Sequence, residues 1–171
     1  MARALIVGCG CRGRTLGARL VAEGWAVRGT SRSEAGLAEI EAAGIEAVEA
    51  DPDRPGTLLE LVGDVAVVHW LLGSAQGDPE LLEAIHGSRL ERILERLVDT
   101  PVRGFVYEAA GTVPPRLLEG GAASVEGAAA TWRIPVAIVG SDPADRAAWV
   151  EAMVSATRGV VQGRSQAGQS I

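Results

Sequence analysis

The residues best suited to chemistry in this chain form a glycine-rich segment near its start. Gly8, Gly10 and Gly13 are spaced as G-x-G-x-x-G, directly after the apolar run 4–7 and before a segment with helical spacing. In such a turn the first glycine allows a tight bend, the second lets the backbone approach a pyrophosphate, and the third lets helix and strand pack closely. The exposed N–H groups of the helix start then face the anion. The context predicts a dinucleotide site; a glycine-rich turn without a ligand is the alternative. The predicted phosphate-binding residues are Gly8, Gly10, Cys11, Arg12 and Gly13.

Basic and hydroxyl side chains stand where the second strand is expected to end. Dinucleotide sites selective for NAD usually carry an acidic residue there to bind the ribose 2′-hydroxyl. This chain has Thr30, Ser31 and Arg32 instead, a set that suits a 2′-phosphate because arginine offers a fixed charge and a planar fork of donors. Arg12 could close the same pocket from the other side. These residues favour NADP(H) over NAD(H); a solvated loop arginine at position 32 is the alternative.

Two further segments are expected to pass a bound dinucleotide. Asp51 follows the third predicted strand, where it could accept a hydrogen bond from an adenine amino group, or form an ordinary Asp-Pro turn. Leu71 and Leu72 begin the loop after the fourth predicted strand. His69, just before them, is either a proton donor or a core histidine bonded to a backbone carbonyl.

Candidate proton-transfer groups are few. Glu108 lies near the carboxyl end of the fifth predicted strand, where open α/β sheets bind ligands. It is either an acid or base in the site or a surface carboxylate at a strand end. Thr112 is either a hydrogen-bond donor near a nicotinamide or an ordinary loop hydroxyl. His86 is expected at a helix surface or an interface.

The two cysteines, Cys9 and Cys11, lie within the glycine segment. They do not make a disulfide framework or a complete metal site, so no metal is expected. Because a helix N-terminus lowers the pKa of a thiol, oxidation here could block nucleotide binding. The alternative is that both are small residues tolerated in a tight turn.

Short apolar runs alternate with helical segments along the chain, which predicts an α/β domain with a doubly wound, mostly parallel, six-stranded sheet. The single domain is expected over residues 1–160, with a disordered tail at 161–171. The predicted strands are 4–7, 26–30, 45–50, 65–71, 102–109 and 135–139. The predicted helices are 14–23, 33–43, 57–61, 79–98 with an interruption at Gly87, 117–131, and a last one from Ser141 or Asp142 to Thr157.

These features together resemble the short-chain dehydrogenase/reductase superfamily, closest to its extended and atypical branches, over about residues 3–140. The residues that carry the resemblance are Gly8–Gly13, Thr30–Arg32, Asp51 and Phe105–Tyr107. The resemblance implies a Rossmann fold that binds NAD(P). It also implies a homodimer through the helical segments 79–98 and 117–131.

The catalytic set of that superfamily is missing. A serine or threonine usually ends the fifth strand, and Tyr-x-x-x-Lys follows on the next helix. If Glu126 matches the glutamate after the motif, these positions fall on Ala110, Leu118 and Ala122. Since the chain contains no lysine, realignment cannot restore the motif. Hydride transfer by the usual mechanism is therefore not expected.

Composition narrows the remaining functions. The formal net charge is −6 with no strongly basic segment, which argues against nucleic-acid binding. No apolar run is long enough to span a membrane, and the start of the chain does not resemble a signal peptide, so a cytoplasmic protein is expected. Two functions stay open: an NADP(H)-dependent oxidoreductase with non-standard catalytic residues, or a non-catalytic dinucleotide sensor that acts through a protein partner. A structural subunit with a vestigial glycine loop is a third, weaker alternative.

Overall fold

The computed structural model describes residues 1–165, and these form six strands and seven helices in strict alternation, except that two helices are adjacent. The strands are β1 (Arg3–Val7), β2 (Ala26–Ser31), β3 (Glu46–Glu49), β4 (Val67–Trp70), β5 (Gly104–Glu108) and β6 (Val136–Val139). The helices are α1 (Cys11–Ala22), α2 (Glu34–Ala42), α3 (Pro55–Leu59), α4 (Pro79–His86), α5 (Ser88–Leu97), α6 (Pro115–Trp132) and α7 (Arg146–Val161).

All paired strands run parallel, in the order β3-β2-β1-β4-β5-β6. The chain first moves outward from β1 to β3 and then crosses to β4 on the other side of β1. This reversal opens a crevice at the carboxyl ends of β1 and β4, where ligands bind in open α/β sheets. The predicted doubly wound, six-stranded Rossmann fold is confirmed, and the sheet is wholly rather than mostly parallel.

Two apolar layers cover the sheet. One contains α3, α4, α5 and α6, and the other contains α1, α2 and α7. Four strands, β1, β4, β5 and β6, are almost completely buried because helices lie on both faces, which explains their continuous apolar runs. Helix α5 shows the matching helical pattern, with Leu90, Ile93, Leu94 and Leu97 buried on one face.

Several element boundaries differ from the sequence predictions. Helix α1 begins at Cys11, so the last glycine of the motif lies inside the helix. The helix predicted over 79–98 is two helices, α4 and α5, separated by Gly87. The last helix is capped by Asp145, whose side chain accepts a hydrogen bond from the Ala148 amide, because Asp142 instead accepts one from the Ala144 amide in a turn.

The expected disordered tail falls partly outside the described residues. Val161 belongs to α7, and the segment 162–165 returns toward the sheet. There the Ser165 hydroxyl accepts a hydrogen bond from the Val136 amide, with N and Oγ 3.3 Å apart. Residues 161–165 thus follow α7 and lie near β6, residues 166–171 lie outside the described residues, and the domain bounds stay a prediction. Within residues 1–165, no helix combines the length and apolar character that crossing a membrane requires.

A buried contact between α6 and β5 gives a test of this packing. A Cβ at Gly121 would overlap the ring and hydroxyl of Tyr107, which is fully buried. We expect Gly121→Ala to lower the free energy of unfolding, because overpacking costs about 1–3 kcal/mol and exceeds the helix-propensity gain of about 0.5–1 kcal/mol. Urea denaturation measures the change.

Gly120→Ala in the same helix is the matched control. This glycine is exposed, and a Cβ there would meet nothing within 4 Å. We expect it to raise stability by about 0.5–1 kcal/mol, since alanine is the better helix former. Equal shifts for the two variants would contradict the packing described here.

Candidate functional site

The glycine motif forms the turn between β1 and α1 at the crevice. Gly8 has φ = +80°, and a Cβ there would lie 2.5 Å from the Leu71 carbonyl oxygen. A side chain at this position is therefore excluded both by conformation and by the closeness of the β4 loop. A Cβ at Gly13 would lie 3.3 Å from the Gly8 carbonyl oxygen, whereas one at Gly10 would meet nothing within 4 Å. Gly10 thus leaves open space beside the backbone of the turn.

The start of α1 presents unpaired amide groups at this turn. Gly10 is the N-cap and provides no side chain to cap the helix. The first helical hydrogen bond here is donated by the Arg14 amide to the Gly10 carbonyl, 2.8 Å away. The amides of Cys11, Arg12 and Gly13 precede it, so they belong to the first turn that a helix leaves without backbone partners. Such a helix start suits the binding of a phosphate.

A cavity of about 420 Å³ lies over this turn, and we name it the switch-point cavity. It extends from the end of β2, across β1 and β4, to the end of β5. Its wall includes every residue predicted to bind the cofactor: Gly8, Gly10, Cys11, Arg12, Gly13, Thr30, Ser31, Arg32, Asp51, Leu71 and Leu72.

The β2 end of the cavity contains two arginines. Arg32 is exposed and forms no ion pair with another residue of the described chain. Arg14, which the sequence analysis did not single out, also lines this end and forms an ion pair with Glu39 at 3.1 Å. The position of Arg14 directly after the last glycine of the motif could have indicated from the sequence that it lies at the cavity. Ser31 is half-buried, and its hydroxyl accepts a hydrogen bond from the Ser33 amide.

Asp51 lies in a turn at the wall of the switch-point cavity. Its Oδ1 accepts a hydrogen bond from the Asp53 amide at 2.9 Å, which is the turn expected from the sequence. The residue nevertheless lines the switch-point cavity. Adenine recognition by Asp51 stays a prediction.

The sequence suggested that Arg12 could close the pocket around Arg32, but its side chain does not do so. Its side chain extends the other way, toward the end of β5, where its Nη2 lies 3.9 Å from Glu108 Oε1. Its Cζ lies 5.8 Å from the centre of the Trp149 ring. In the sheet order, the strands β1 and β4 separate β2 from β5, which places the two arginines at opposite ends of the cavity.

Glu108 is not a surface carboxylate, since it is only 1% exposed. Its Oε1 accepts a hydrogen bond from the Gly73 amide and its Oε2 accepts one from the Trp149 indole, each at 2.9 Å. Burial raises the pKa of the Glu108 carboxyl, and Arg12 and the two N–H donors partly offset this effect. Because both oxygens are occupied, the geometry favours an anchoring role, and proton transfer by Glu108 stays a prediction.

A second concavity of about 640 Å³ adjoins the first, between the loops that follow β5 and β6, and we name it the β5–β6 cleft. Arg12 and Ser74 line both spaces. Thr112 lies in the cleft, and its amide donates to the Ser74 hydroxyl at 3.3 Å. Ala110 and Leu118, which fall on the superfamily's serine and tyrosine positions, also line the cleft. Neither side chain can transfer a proton.

The two histidines lie in the core. His69 is fully buried and lines neither concavity, which matches the core histidine that the sequence offered as the alternative to a proton donor. Its Nε2 donates to the Thr157 hydroxyl, 2.8 Å away, and burial lowers its pKa to about 4. His86 is buried rather than at a surface. Its Nε2 donates to the Leu72 carbonyl at 2.9 Å, and in that tautomer its Nδ1 accepts from the Tyr107 hydroxyl at 2.7 Å. His86 thereby fixes the loop that forms one wall of the cavity.

The two cysteines have different environments. Cys9 is buried between α1 and β2, and burial raises the pKa of its thiol to about 12. The helix N-terminus was expected to lower the pKa of a nearby thiol, but burial prevents this at Cys9. Cys11 is exposed, and its Sγ accepts a hydrogen bond from Arg146 at 3.3 Å. A redox role for Cys11 stays a prediction.

No protein-family model matches the chain, and no curated protein matches it. The fold, however, occurs in many solved structures. BdcA from E. coli superposes with a TM-score of 0.76 at 17% identity, over 98% of this chain and 97% of that chain. A short-chain dehydrogenase from Rhodopseudomonas palustris superposes with a TM-score of 0.71 at 16% identity, over 99% and 97%.

A UDP-glucuronic acid 4-epimerase from Bacillus cereus, solved in complex with NAD, superposes with a TM-score of 0.66 at 14% identity, over 82% of this chain and 56% of that chain. The present chain thus spans about half the length of the epimerases that it matches. At such low identities these likenesses show a shared fold, which confirms the Rossmann fold implied by the sequence resemblance.

The contrast between the cysteines can be tested by alkylation. At pH 8 a thiol with a pKa of about 12 is roughly one part in 10⁴ thiolate, and only the thiolate reacts. We expect iodoacetamide to modify Cys11 and to leave Cys9 unmodified in the native protein, as read by mass spectrometry. Cys11→Ser should remain unmodified until denaturant is added. Comparable labelling of both cysteines would contradict the burial of Cys9.

Proposed function

We propose that this chain binds NADP(H) in the switch-point cavity. The observation that carries the proposal is the glycine turn, which presents the unpaired amides of the α1 start to a cavity at the reversal of strand order. In this arrangement the amides of Cys11, Arg12 and Gly13 bind the pyrophosphate, and Gly10 leaves room for it. The residues present therefore fit a dinucleotide.

The preference for the phosphorylated cofactor rests on the β2 end of the cavity. Ser31 and Arg32 stand where an NAD-selective site carries an acidic residue, and Arg14 lies beside them. Two guanidinium groups and a hydroxyl can bind a 2′-phosphate through charge-assisted hydrogen bonds. Glu39 opposes this binding, because its carboxylate pairs with Arg14. A 2′-phosphate must therefore compete with Glu39 for that guanidinium.

A nicotinamide bound here would supply hydride transfer, and this chain's own residues would have to orient it and exclude water. Leu71 and Leu72 form an apolar wall fixed by His86. The usual proton-transfer set is absent, so oxidoreductase activity requires other groups, of which Thr112 is exposed to the cleft and Glu108 is buried. We propose an oxidoreductase with non-standard catalytic residues.

A non-catalytic dinucleotide sensor is the second candidate. The observation that favours it is the apolar character of positions 110 and 118, which leaves the cleft without the superfamily's tyrosine and serine. The nucleotide would then act by shifting the affinity for a protein partner. The homodimer and the cytoplasmic location expected from the sequence stay predictions.

Parallel calorimetric titration with NADPH, NADP⁺, NADH and NAD⁺ tests the proposal. We expect binding with preference for the phosphorylated pair. Arg32→Glu should weaken NADPH binding about tenfold or more, because it removes charge-assisted hydrogen bonds and adds repulsion, and should leave NADH binding within about twofold. Equal effects on both cofactors would remove Arg32 from the 2′-phosphate site. Lack of binding by all four would refute the proposed function.

The competition at Arg14 gives a separate prediction. Glu39→Gln removes the competing carboxylate, so we expect NADPH affinity to rise about two- to fivefold at low ionic strength, the range of an exposed ion pair. NADH affinity should not change. Glu41→Gln is the matched control, since Glu41 is an exposed residue of the same helix that does not line the cavity. An unchanged NADPH affinity in Glu39→Gln would mean that Arg14 does not reach the phosphate.

A further inference from the structure

The guanidinium of Arg12 has donors that the described chain leaves unpaired. Residues 1–165 provide no hydrogen-bond acceptor for its buried Nε, and the separation of 3.9 Å from Glu108 is too long for a hydrogen bond. The side chain is nevertheless only 28% exposed. A partly buried cation with unpaired N–H groups is costly unless an acceptor binds there.

A rigid scaffold holds this guanidinium in place. The Glu108 carboxylate beside it is fixed by the Gly73 amide and the Trp149 indole. Trp149 is fully buried, and its ring lies under the guanidinium at a distance suited to a cation–π interaction. Burying a carboxylate carries a desolvation cost. The buried Glu108 carboxylate lies beside Arg12 and helps to hold this one positive charge at the junction of the two concavities.

Among residues 1–165, Arg12 is the one basic residue that lines the β5–β6 cleft. Its acidic residues, Glu119 and Asp142, are both exposed, and Asp142 is already engaged by the Ala144 amide. The remaining wall consists mainly of glycine, alanine, proline and leucine, together with Ser74 and Thr112. A complementary ligand is small and mostly apolar, with one anionic group for Arg12.

We infer that the β5–β6 cleft binds a small molecule bearing an oxyanion, a carboxylate or a phosphate, which Arg12 receives through its planar fork of donors. The backbone amide of Arg12 faces the switch-point cavity, while its side chain lines the neighbouring cleft. The inference that this molecule is a second ligand beside a dinucleotide rests on the proposed function. Binding in the cleft itself requires only Arg12 and its scaffold.

Calorimetry with a matched pair of probes tests this site. NADPH-saturated protein is titrated at low ionic strength with pyruvate and with its neutral amide, pyruvamide, and inorganic phosphate serves as the second oxyanion. We expect at least one of the two anions to bind and pyruvamide not to bind. Arg12→Leu should weaken anion binding at least tenfold, whereas Arg92→Leu, at an exposed residue of α5 that lines neither concavity, should leave it unchanged. Thermal unfolding verifies that each variant is folded.

A second variant covers the case in which Arg12→Leu does not fold. Ala144 is exposed and lines the cleft but not the switch-point cavity, so Ala144→Trp should fill the cleft. We expect it to abolish anion binding and to leave NADPH binding unchanged. Anion binding that persists in this variant would overturn the assignment to the cleft.

The remaining outcomes separate the two proposals. If no dinucleotide binds but the anion binds in an Arg12-dependent manner, the proposed function fails and the oxyanion site stands. If neither anion binds the NADPH-saturated protein, the inference is overturned. If Arg12→Leu then also weakens NADPH at least tenfold, the donors of Arg12 belong to the cofactor's pyrophosphate. That result would retain the proposed function.

Discussion

The close approach of the β1 turn to the β4 loop is the constraint on which the rest of the site depends. Gly8 lies against the Leu71 carbonyl at the reversal of strand order, and the space for a side chain is absent. This contact sets α1 directly over the crevice, so that its first amides face a cavity rather than a neighbouring element. The wall opposite is held by His86, which joins α4 to the carbonyl of Leu72 and to Tyr107.

A second group of contacts organises the far end of the cavity. The buried Glu108 carboxylate links the β4 loop through Gly73, α7 through Trp149, and α1 through Arg12. Close packing of glycines supports it, since a Cβ at Gly73 or Gly111 would overlap the facing loop. The two ends of the crevice therefore have distinct electrostatic characters: two arginines and one exposed carboxylate at β2, and one scaffolded arginine at β5.

This division would separate the proposed recognition of a cofactor at β2 from the proposed binding of a second ligand at β5. At β2, exposed side chains can change partners at little cost, which suits selection between closely related nucleotides. At β5, buried groups fix a single charge in one place, which suits a ligand that must be held in a defined orientation. The positions that the sequence resemblance aligns with a catalytic serine, tyrosine and lysine are Ala110, Leu118 and Ala122, so this chain lacks those proton-transfer groups.

The sequence by itself determined the fold and the location of the glycine turn. Alternating apolar runs and helical periodicities are local patterns, and the glycine spacing at the end of the first strand reflects a backbone requirement that few other residues meet. The same reasoning correctly placed Thr30, Ser31 and Arg32 at one end of the crevice. The composition alone also shows that the chain has no lysine to act in the usual catalytic set.

Only the tertiary structure decided where long side chains point and which polar groups are buried. Arg12 lies in the glycine turn and Arg32 directly follows β2, and the sequence suggested that both line one pocket. Their side chains instead lie at opposite ends of the cavity. Local sequence left Glu108 open between an acid or base and a surface carboxylate, and His69 open between a proton donor and a core histidine. The environment of both is set by residues of α7, which lie far along the chain. Burial and hydrogen-bond partners arise from contacts between distant segments, so the pKa values and the roles of these groups could not be obtained from local sequence.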